Sequence, residues 1–245
     1  MPSRTKRPAQ KVIDEALADL DDVPPENWPP DITYLTDHTY SDAVTAEQRT
    51  ALSRPAPESD QWTKISREQI NETLDRVKII IIDDEKHPAY RQRGLFAKSK
   101  LDPDAFITLY LGHVHTNSLV DTDPHSDYDL ALDRDIGLSV DAAKSGNIAR
   151  FANDYRCVAE RPNAEFRDCF IKVPCTKRAG GVKWERRVGI FVLPAGKAGK
   201  RKTGIRENEE VLVSYGKSYW ESRKLMATFR KDFEMLNIAE AALDE

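Results

Sequence analysis

The sequence predicts a mainly β protein with short helices, an α+β chain, on three observations. From about residue 77, short runs rich in Val, Ile, Leu, Phe and Tyr are separated by Gly, Pro, Asp and Asn, the pattern of short strands joined by turns. Apolar residues at helical spacing appear only at Ile148, Phe151, Ala152 and Tyr155, and again after residue 218. Many of the prolines precede residue 65, where they remove donors and bar helix interiors.

Taken in order, residues 1–65 form a Pro-rich arm, extended or irregular with short helices. "QKVIDEALADL" (10–20) is one candidate helix, and "SREQINETLDR" (66–76), entered through a Ser66 cap, is another. Trp28, Tyr34 and Trp62 predict that parts of the arm pack on the domain, because a disordered tail carries fewer aromatics. A domain over 66–220 follows. Its strands are expected at "VKIIIID" (77–83), "AFITLYLG" (105–112), "DYDLALD" (127–133), "GLSVDA" (137–142), "RVGIFVLPA" (187–195) and "EEVLVSYG" (209–216). Residues 221–245 place Met226, Phe229, Phe233 and Leu236 on one apolar helical face, which predicts a C-terminal helix. "AGKAGKRKTGIRE" (195–207) is a basic cluster inside the domain, either a solvated loop or a contact for an acidic partner or a nucleic-acid phosphate.

Composition narrows the function classes. The 245 residues carry a net charge of −4, so no broad basic face draws the chain to nucleic acid or an anionic membrane. No run approaches the roughly 18 apolar residues of a membrane span. "MPSRTKRPAQK" is basic but has no apolar stretch behind it, so a secretory signal is not expected. Cys157, Cys169 and Cys175 cannot all pair and none lies in a C-x-x-C spacing; reduced thiols in an intracellular protein are the expectation, with no metal site and no zinc.

The order of the motifs resembles the SET domain of protein-lysine methyltransferases. "RQRGLFAKSKL" (91–101) resembles the family's Gly-rich opening, and "LYLG" (109–112) its Tyr-x-Gly element. "YDLALDRDIGLSVDAAKSGNIARFANDY" (128–155) resembles the Tyr strand, the Asp-Ala strand end and the Arg-Phe-x-Asn-His segment, with "RPNAEF" (161–166) following in place of its Pro-Asn. "ENEEVLVSYGKSYW" (207–220) resembles the closing Glu-Glu-Leu-x-x-Asp-Tyr. The match spans roughly 77 to 220. It implies a β-clip fold with a pseudoknot, in which the last strand passes the turn around 146–166, an exception to the rule that chains avoid threading. Phe151 and Tyr155 would face the core, and Pro162-Asn163 would end the turn so the chain can cross.

The resemblance further implies methyl transfer from S-adenosylmethionine to a lysine amine, leaving S-adenosylhomocysteine. Tyr215 would be the catalytic tyrosine, its hydroxyl orienting the amine, and Tyr110 would line the lysine channel. Arg93, Gly94 and Leu95 would offer backbone groups to the cofactor's methionyl end. Tyr128, Arg150, Phe151, Asn153, Asp154 and Trp220 complete the cofactor side, and Val213 and Tyr219 the substrate channel. Tyr110, Tyr128, Val213 and Trp220 read equally as ordinary packing residues. Three positions depart from the family pattern: Asp154 replaces a histidine, Ser214 an aspartate, and Gly94 stands alone where two glycines are usual. Those departures raise a second reading, a SET-derived binding module that has lost turnover.

The implied partner is a protein or peptide bearing a lysine, histone tails being the family's commonest substrates and the nucleus the expected place. Nucleic acid is a weaker expectation, and the oligomeric state stays open. "SRTKRPAQK" (3–11) itself reads like a lysine-bearing tail segment or a basic targeting signal.

Overall fold

The computed structural model describes residues 23–54, 63–175, 181–196 and 204–225. They build a mainly β protein with short helices, and the chain divides into two units, 1–213 and 214–245. The expected helix at 10–20, Trp62, most of the basic 195–207 loop, the tail segment at 3–11 and the apolar face from Met226 onward lie outside the described residues.

The arm is extended, and it is woven into the sheets. Strand β1 (Thr33–Tyr34) pairs in parallel with β11 (Ser145–Gly146), and β2 (Thr39–Tyr40) with β8 (His113–Thr116). Helix α1 (Ala46–Ala51) starts at Thr45, whose hydroxyl accepts the Gln48 N–H while the Gln48 side chain returns to the Thr45 N–H, a capping box. Then β3 (Ser53–Arg54) and β4 (Lys64–Ile65) add to opposite edges of one sheet. Ser66 caps α2 (Arg67–Asn71) as expected, again with a box through Gln69, and α3 (Thr73–Arg76) follows after a break at Glu72. Trp28 packs edge-on against Tyr34 (5.0 Å) and Phe151 (5.5 Å), so the arm does cover the domain.

Strands form inside five of the six expected runs, each shorter than its run: β5 (Val77–Ile81), β7 (Phe106–Leu109), β9 (Asp129–Asp133), β10 (Leu138–Asp141) and, within "EEVLVSYG", the two-residue β15 (Leu212–Val213). The sixth run is the end of something longer. Strands β13 (Ala164–Cys175) and β14 (Gly181–Val192) make a twelve-residue antiparallel hairpin to which β7, β3 and β4 attach. Its inner face carries a core of Ile65, Phe106, Leu109, Leu111, Cys169, Ile171, Val173 and Phe191. Cys169 is fully buried there, and that burial pushes its thiol up to about 12, which makes it an inert core residue. A second sheet has the order β2-β8-β10-β9, and β5 pairs with β6 (Arg93–Ala97).

The helical spacing of Ile148, Phe151, Ala152 and Tyr155 does not make a helix but the turn implied by the resemblance. It is a single 3-10 turn, Ile148–Phe151, in which all four residues are buried. Asn147 caps it, with i to i+3 bonds from the Arg150 and Ala152 N–H groups. Ala152 is already extended, and β12 (Asn153–Asp154) takes its hydrogen bonds from β15 in parallel instead. A turn buried on every side and a short strand together imitate helical spacing. Phe151 faces the core, while Tyr155 is only half-buried.

In the second unit, residues 217–225 are helical. Tyr215 and Tyr219 meet edge-on at 5.0 Å, Tyr219 and Trp220 at 5.3 Å, and the Arg223 guanidinium lies over the Tyr219 ring at 5.5 Å. No helix among the described residues is long and apolar enough to cross a membrane.

Candidate functional site

Of the residues singled out from the sequence in the first unit, Arg93, Gly94, Leu95, Asn153, Asp154 and Val213 gather around the segment 208–213. On one side this segment runs along β6: the Ala97 N–H donates to Glu209 O (3.0 Å), and the Val211 N–H to Leu95 O (2.7 Å). On its other side lies the loop from β12 to β13. Asn153 pairs with Leu212 and Asp154 with Val213, and the Tyr155 N–H donates to Val213 O (3.0 Å). The far end of the same loop returns to the same dipeptide. The Asn163 N–H donates to Leu212 O (3.0 Å), its Oδ1 accepts the Leu212 N–H (2.8 Å), and its Nδ2 donates to Glu210 O (2.7 Å). Both ends of the 153–163 loop therefore grip one short strand, and Val213 is fully buried between them.

Close approach at this crossing explains Gly94. A Cβ there would stand 2.7 Å from Phe96 Cε2 and 2.8 Å from Glu210 Oε1, so only glycine lets the Glu210 side chain lie against β6. Arg93 reaches back to the arm, Nε donating to Asn27 O (2.6 Å), while its carbonyl accepts Asn153 Nδ2 (3.3 Å). The Leu95 carbonyl is committed to Val211. Asn153 Nδ2 also donates to Glu210 Oε1 (2.8 Å), and Glu210 Oε2 meets His87 Nε2 at 3.0 Å. Both partners are close to buried, with side chains 8% and 10% exposed. Asp154 is buried, and its Oδ1 accepts the Arg156 N–H at 2.9 Å.

Tyr110, Tyr128, Arg150 and Phe151 form a second connected set. The Tyr110 hydroxyl donates to Tyr128 O (2.7 Å) and its ring meets Phe166 edge-on at 5.6 Å. Buried Arg150 donates to Ala142 O (2.8 Å) and Ala143 O (3.2 Å) while its guanidinium lies over the rings of Tyr128 (4.2 Å) and Phe151 (5.1 Å). A planar cation clamped this way holds the 3-10 turn against the β9–β10 end of the domain. The 3-10 turn also packs on β5, β6 and β7, which joins the two sets. Tyr215, Tyr219 and Trp220 belong to the second unit, where they form their own aromatic cluster.

Sequence reasoning did not single out His87 or Glu210. Glu210 was within reach, since it is the second Glu of the closing motif. His87 sits in the β5–β6 turn with no pattern around it. No group of His, Cys, Asp and Glu among the described residues is arranged to hold a metal ion. A cleft of about 220 Å³ opens between the arm, α2, α3 and β7, lined among others by Leu35, Ile70, Leu74, Leu109 and Leu111. None of the catalytic, cofactor or channel residues singled out from the sequence lines it.

A further titratable cluster fastens the arm to β14. Arg187 is fully buried and pairs with Glu185 and with Asp37 (2.9 Å), and the Tyr40 hydroxyl donates to Glu185 Oε1 (3.0 Å). Burial opposes the Glu185 charge, but the Arg187 guanidinium and its hydrogen bonds outweigh this and hold the carboxyl down at about 2.

No protein-family model matches the chain, and no curated relative does. Among solved structures the chain is similar to a humanized mutant of the Chaetomium thermophilum Polycomb Repressive Complex 2 bound to an inhibitor, with 20% identity over 57% of this chain and 15% of that one, at a TM-score of 0.39. It is similar to ctPRC2 in an autoinhibited conformation bound to S-adenosylmethionine, with 20% identity, coverage of 63% and 17%, and a TM-score of 0.41. An active polycomb repressive complex 2 in the stimulated state gives 20% identity, coverage of 58% and 15%, and a TM-score of 0.39. The chain spans less than a fifth of the length of each of these structures.

Proposed function

We propose that the chain is an S-adenosylmethionine-dependent protein-lysine N-methyltransferase of the SET type. The observation that carries this reading is the crossing, in which segment 210–213 is gripped between β6 and both ends of the 153–163 loop. It is the feature that the motif order leads one to expect, and it brings Arg93, Gly94, Asn153 and Val213 to one place.

The residues there suit a cationic ligand. Arg93 O, Asn153 Oδ1 and the Glu210 carboxylate are all acceptors, and the methionyl end of S-adenosylmethionine carries an ammonium. When bound, the cofactor supplies a methyl group on a positively charged sulfur. Asn153 Oδ1 would hold the ammonium end, with the Glu210 carboxylate beside it favouring positive charge, and backbone groups of β6 would line its approach. Tyr110, Val213 and Tyr219 are assigned to the lysine channel. Tyr215 is assigned the hydroxyl that orients the amine, whose lone pair forms the new C–N bond as the C–S bond breaks and whose proton leaves to water. Alignment and desolvation supply most of the acceleration in such a displacement. The substrate is a lysine on a polypeptide, a basic tail of histone type in the nucleus being our choice.

A second reading, a module that binds the cofactor without turnover, draws on Asp154. Its carboxylate is engaged with the Arg156 N–H where an imidazole is usual. The test is incubation of the chain with methyl-labelled S-adenosylmethionine and nuclear or ribosomal extract, with Tyr215→Phe as control. Label on lysine that falls at least about a hundredfold in the variant supports the enzyme. Binding without transfer selects the module, and absence of binding removes both.

A further inference from the structure

We propose that His87 is a positioning residue for the cofactor's ammonium group, acting through Glu210 on Asn153; the inference rests on the methyltransferase reading above. The imidazole is fixed first. His87 lies in the turn between β5 and β6, where its own N–H donates to Asp84 O (3.0 Å) and its carbonyl accepts the Tyr90 N–H (2.9 Å). Its Nδ1 accepts the Ala89 N–H at 3.0 Å. A ring nitrogen that accepts a backbone N–H holds no proton of its own, so the ring proton is on Nε2. That proton points at Glu210 Oε2, 3.0 Å away.

Glu210 is fixed in turn. Oε2 is held by His87, and Oε1 lies where a Cβ on residue 94 would be, 2.8 Å off, so the carboxylate is seated on Gly94. Oε1 accepts Asn153 Nδ2 at 2.8 Å, and the other proton of the same nitrogen faces Arg93 O at 3.3 Å. An amide NH2 has two protons, and both are used. The flipped amide would set Oδ1 against two oxygens, so the pair of acceptors dictates which way Asn153 points. Oδ1 is then the acceptor left for a ligand, with no hydrogen-bond partner among the described residues, beside a carboxylate that favours positive charge.

Without His87 the carboxylate loses one of its two holds, in a pocket where the side chains are about nine-tenths buried. Glu210 can then rotate off Gly94, and the Asn153 amide loses one of the two acceptors that orient it. A binding group whose rotamer is not locked from behind loses affinity although it is still present. The loss falls on ligands that carry the ammonium and spares those that do not.

The experiment is calorimetric binding to the full chain of three probes: S-adenosylmethionine, S-adenosylhomocysteine and methylthioadenosine, which lacks the amino-acid end. His87→Ala is expected to weaken the first two about tenfold, the scale of one hydrogen bond to a charged group, and to leave methylthioadenosine within about twofold. His87→Gln, which can still donate to Glu210, is expected to restore most of the loss. Asn153→Ala should cost a similar factor, and the double variant no more than the larger single loss, because both act on one contact. Glu210→Gln, which keeps the shape, serves should His87→Ala fail to fold. His87→Ala binding S-adenosylmethionine as tightly as the wild type overturns the inference and leaves the methyltransferase reading intact. Equal losses for all three probes also overturn it, since a purely structural defect does that. A wild-type chain that binds none of the probes sinks the methyltransferase reading and the inference together.

Discussion

Lowering the pH from 7 to 5 tests how the arm is held, through His38. Its side chain is buried where β2 meets β8, with Nδ1 3.2 Å from Gly112 O and 3.3 Å from the Gly112 N, and Nε2 buried with no partner among the described residues. Burial, and then the Arg187 guanidinium, push its pKa down to about 3, against smaller opposing effects of Asp37 and Glu185. The folded chain therefore refuses a proton that the unfolded chain takes up at about 6.5. Above that value the imidazole is neutral in both states and stability is intact. Below it the unfolded state gains protonation free energy, and stability is lost progressively as pH falls toward the folded value. At pH 5 the loss is RT ln(1 + 10^1.5), about 2 kcal/mol. This figure depends on the unfolded pKa alone so long as the folded one lies well below 5. The assay is urea unfolding of the wild type and of His38→Asn at both pH values, comparing the change in each rather than the absolute stabilities. Every other group titrates in both proteins and cancels, including His115, which its hydrogen bond to Asp129 raises to about 9 and which works in the opposite direction. The wild type should lose about 2 kcal/mol more than the variant between pH 7 and pH 5. Parallel losses would refute the argument that the seam shuts His38 away from protons.

Two further outcomes follow from the packing. Arg187→Ala leaves Glu185 buried with only Lys183 (3.1 Å) and Tyr40, and should destabilise by about 3–5 kcal/mol. Arg187→Met with Glu185→Leu removes both charges and should stand within about 1–2 kcal/mol of the wild type in the same unfolding assay. Gly112→Ala would place a Cβ 2.4 Å from Asp141 O in the β8–β10 seam, where backbone meets backbone and neither can yield. It should cost about 3 kcal/mol or more. Gly137→Ala, at φ +65° but with open space around it, should cost only about 1 kcal/mol, the conformational part alone; equal losses would show that contact at Gly112 is not the cause.

The strands of the domain were legible because most of them are continuous apolar runs. The miss was β13. "AEFRDCFIKVPC" interleaves Glu165, Arg167, Asp168 and Lys172 with its apolar residues, so it lacks a run. Yet Cys169, Ile171 and Val173 are buried while Asp168, Lys172 and Pro174 are exposed, a period of two broken at buried Phe170. The Ser66 helix start was legible from its cap and lacks nothing but length. The equivalent start at Thr45 has the same box with Gln48, and no apolar periodicity behind it drew attention to it. The four arm strands were not legible at all. A two-residue strand has no periodicity; what makes Thr33–Tyr34 or Thr39–Tyr40 strands is the unpaired edge each one finds in the domain.

The candidate site shows why such a centre is harder to read than a core. Asn153 stood out through its motif, and Gly94 through the opening one, but what they do is set by atoms that the letters do not carry. Gly94 is needed because of Glu210, 116 positions later, and Asn153 is oriented by the carbonyl of Arg93 as much as by any side chain. Any residue at position 93 would offer that carbonyl. His87 has its proton on Nε2 only because the backbone N–H of Ala89 occupies Nδ1, again a contact that no substitution pattern reports directly. The β5–β6 turn, β6, the 153–163 loop and segment 208–213 each contribute to it, and two of the contacts, from Ala89 N and Arg93 O, are backbone. Side-chain identity can therefore mark where such a corner lies, through glycine and asparagine, while its polarity emerges only when segment 208–213 is laid between β6 and the 153–163 loop.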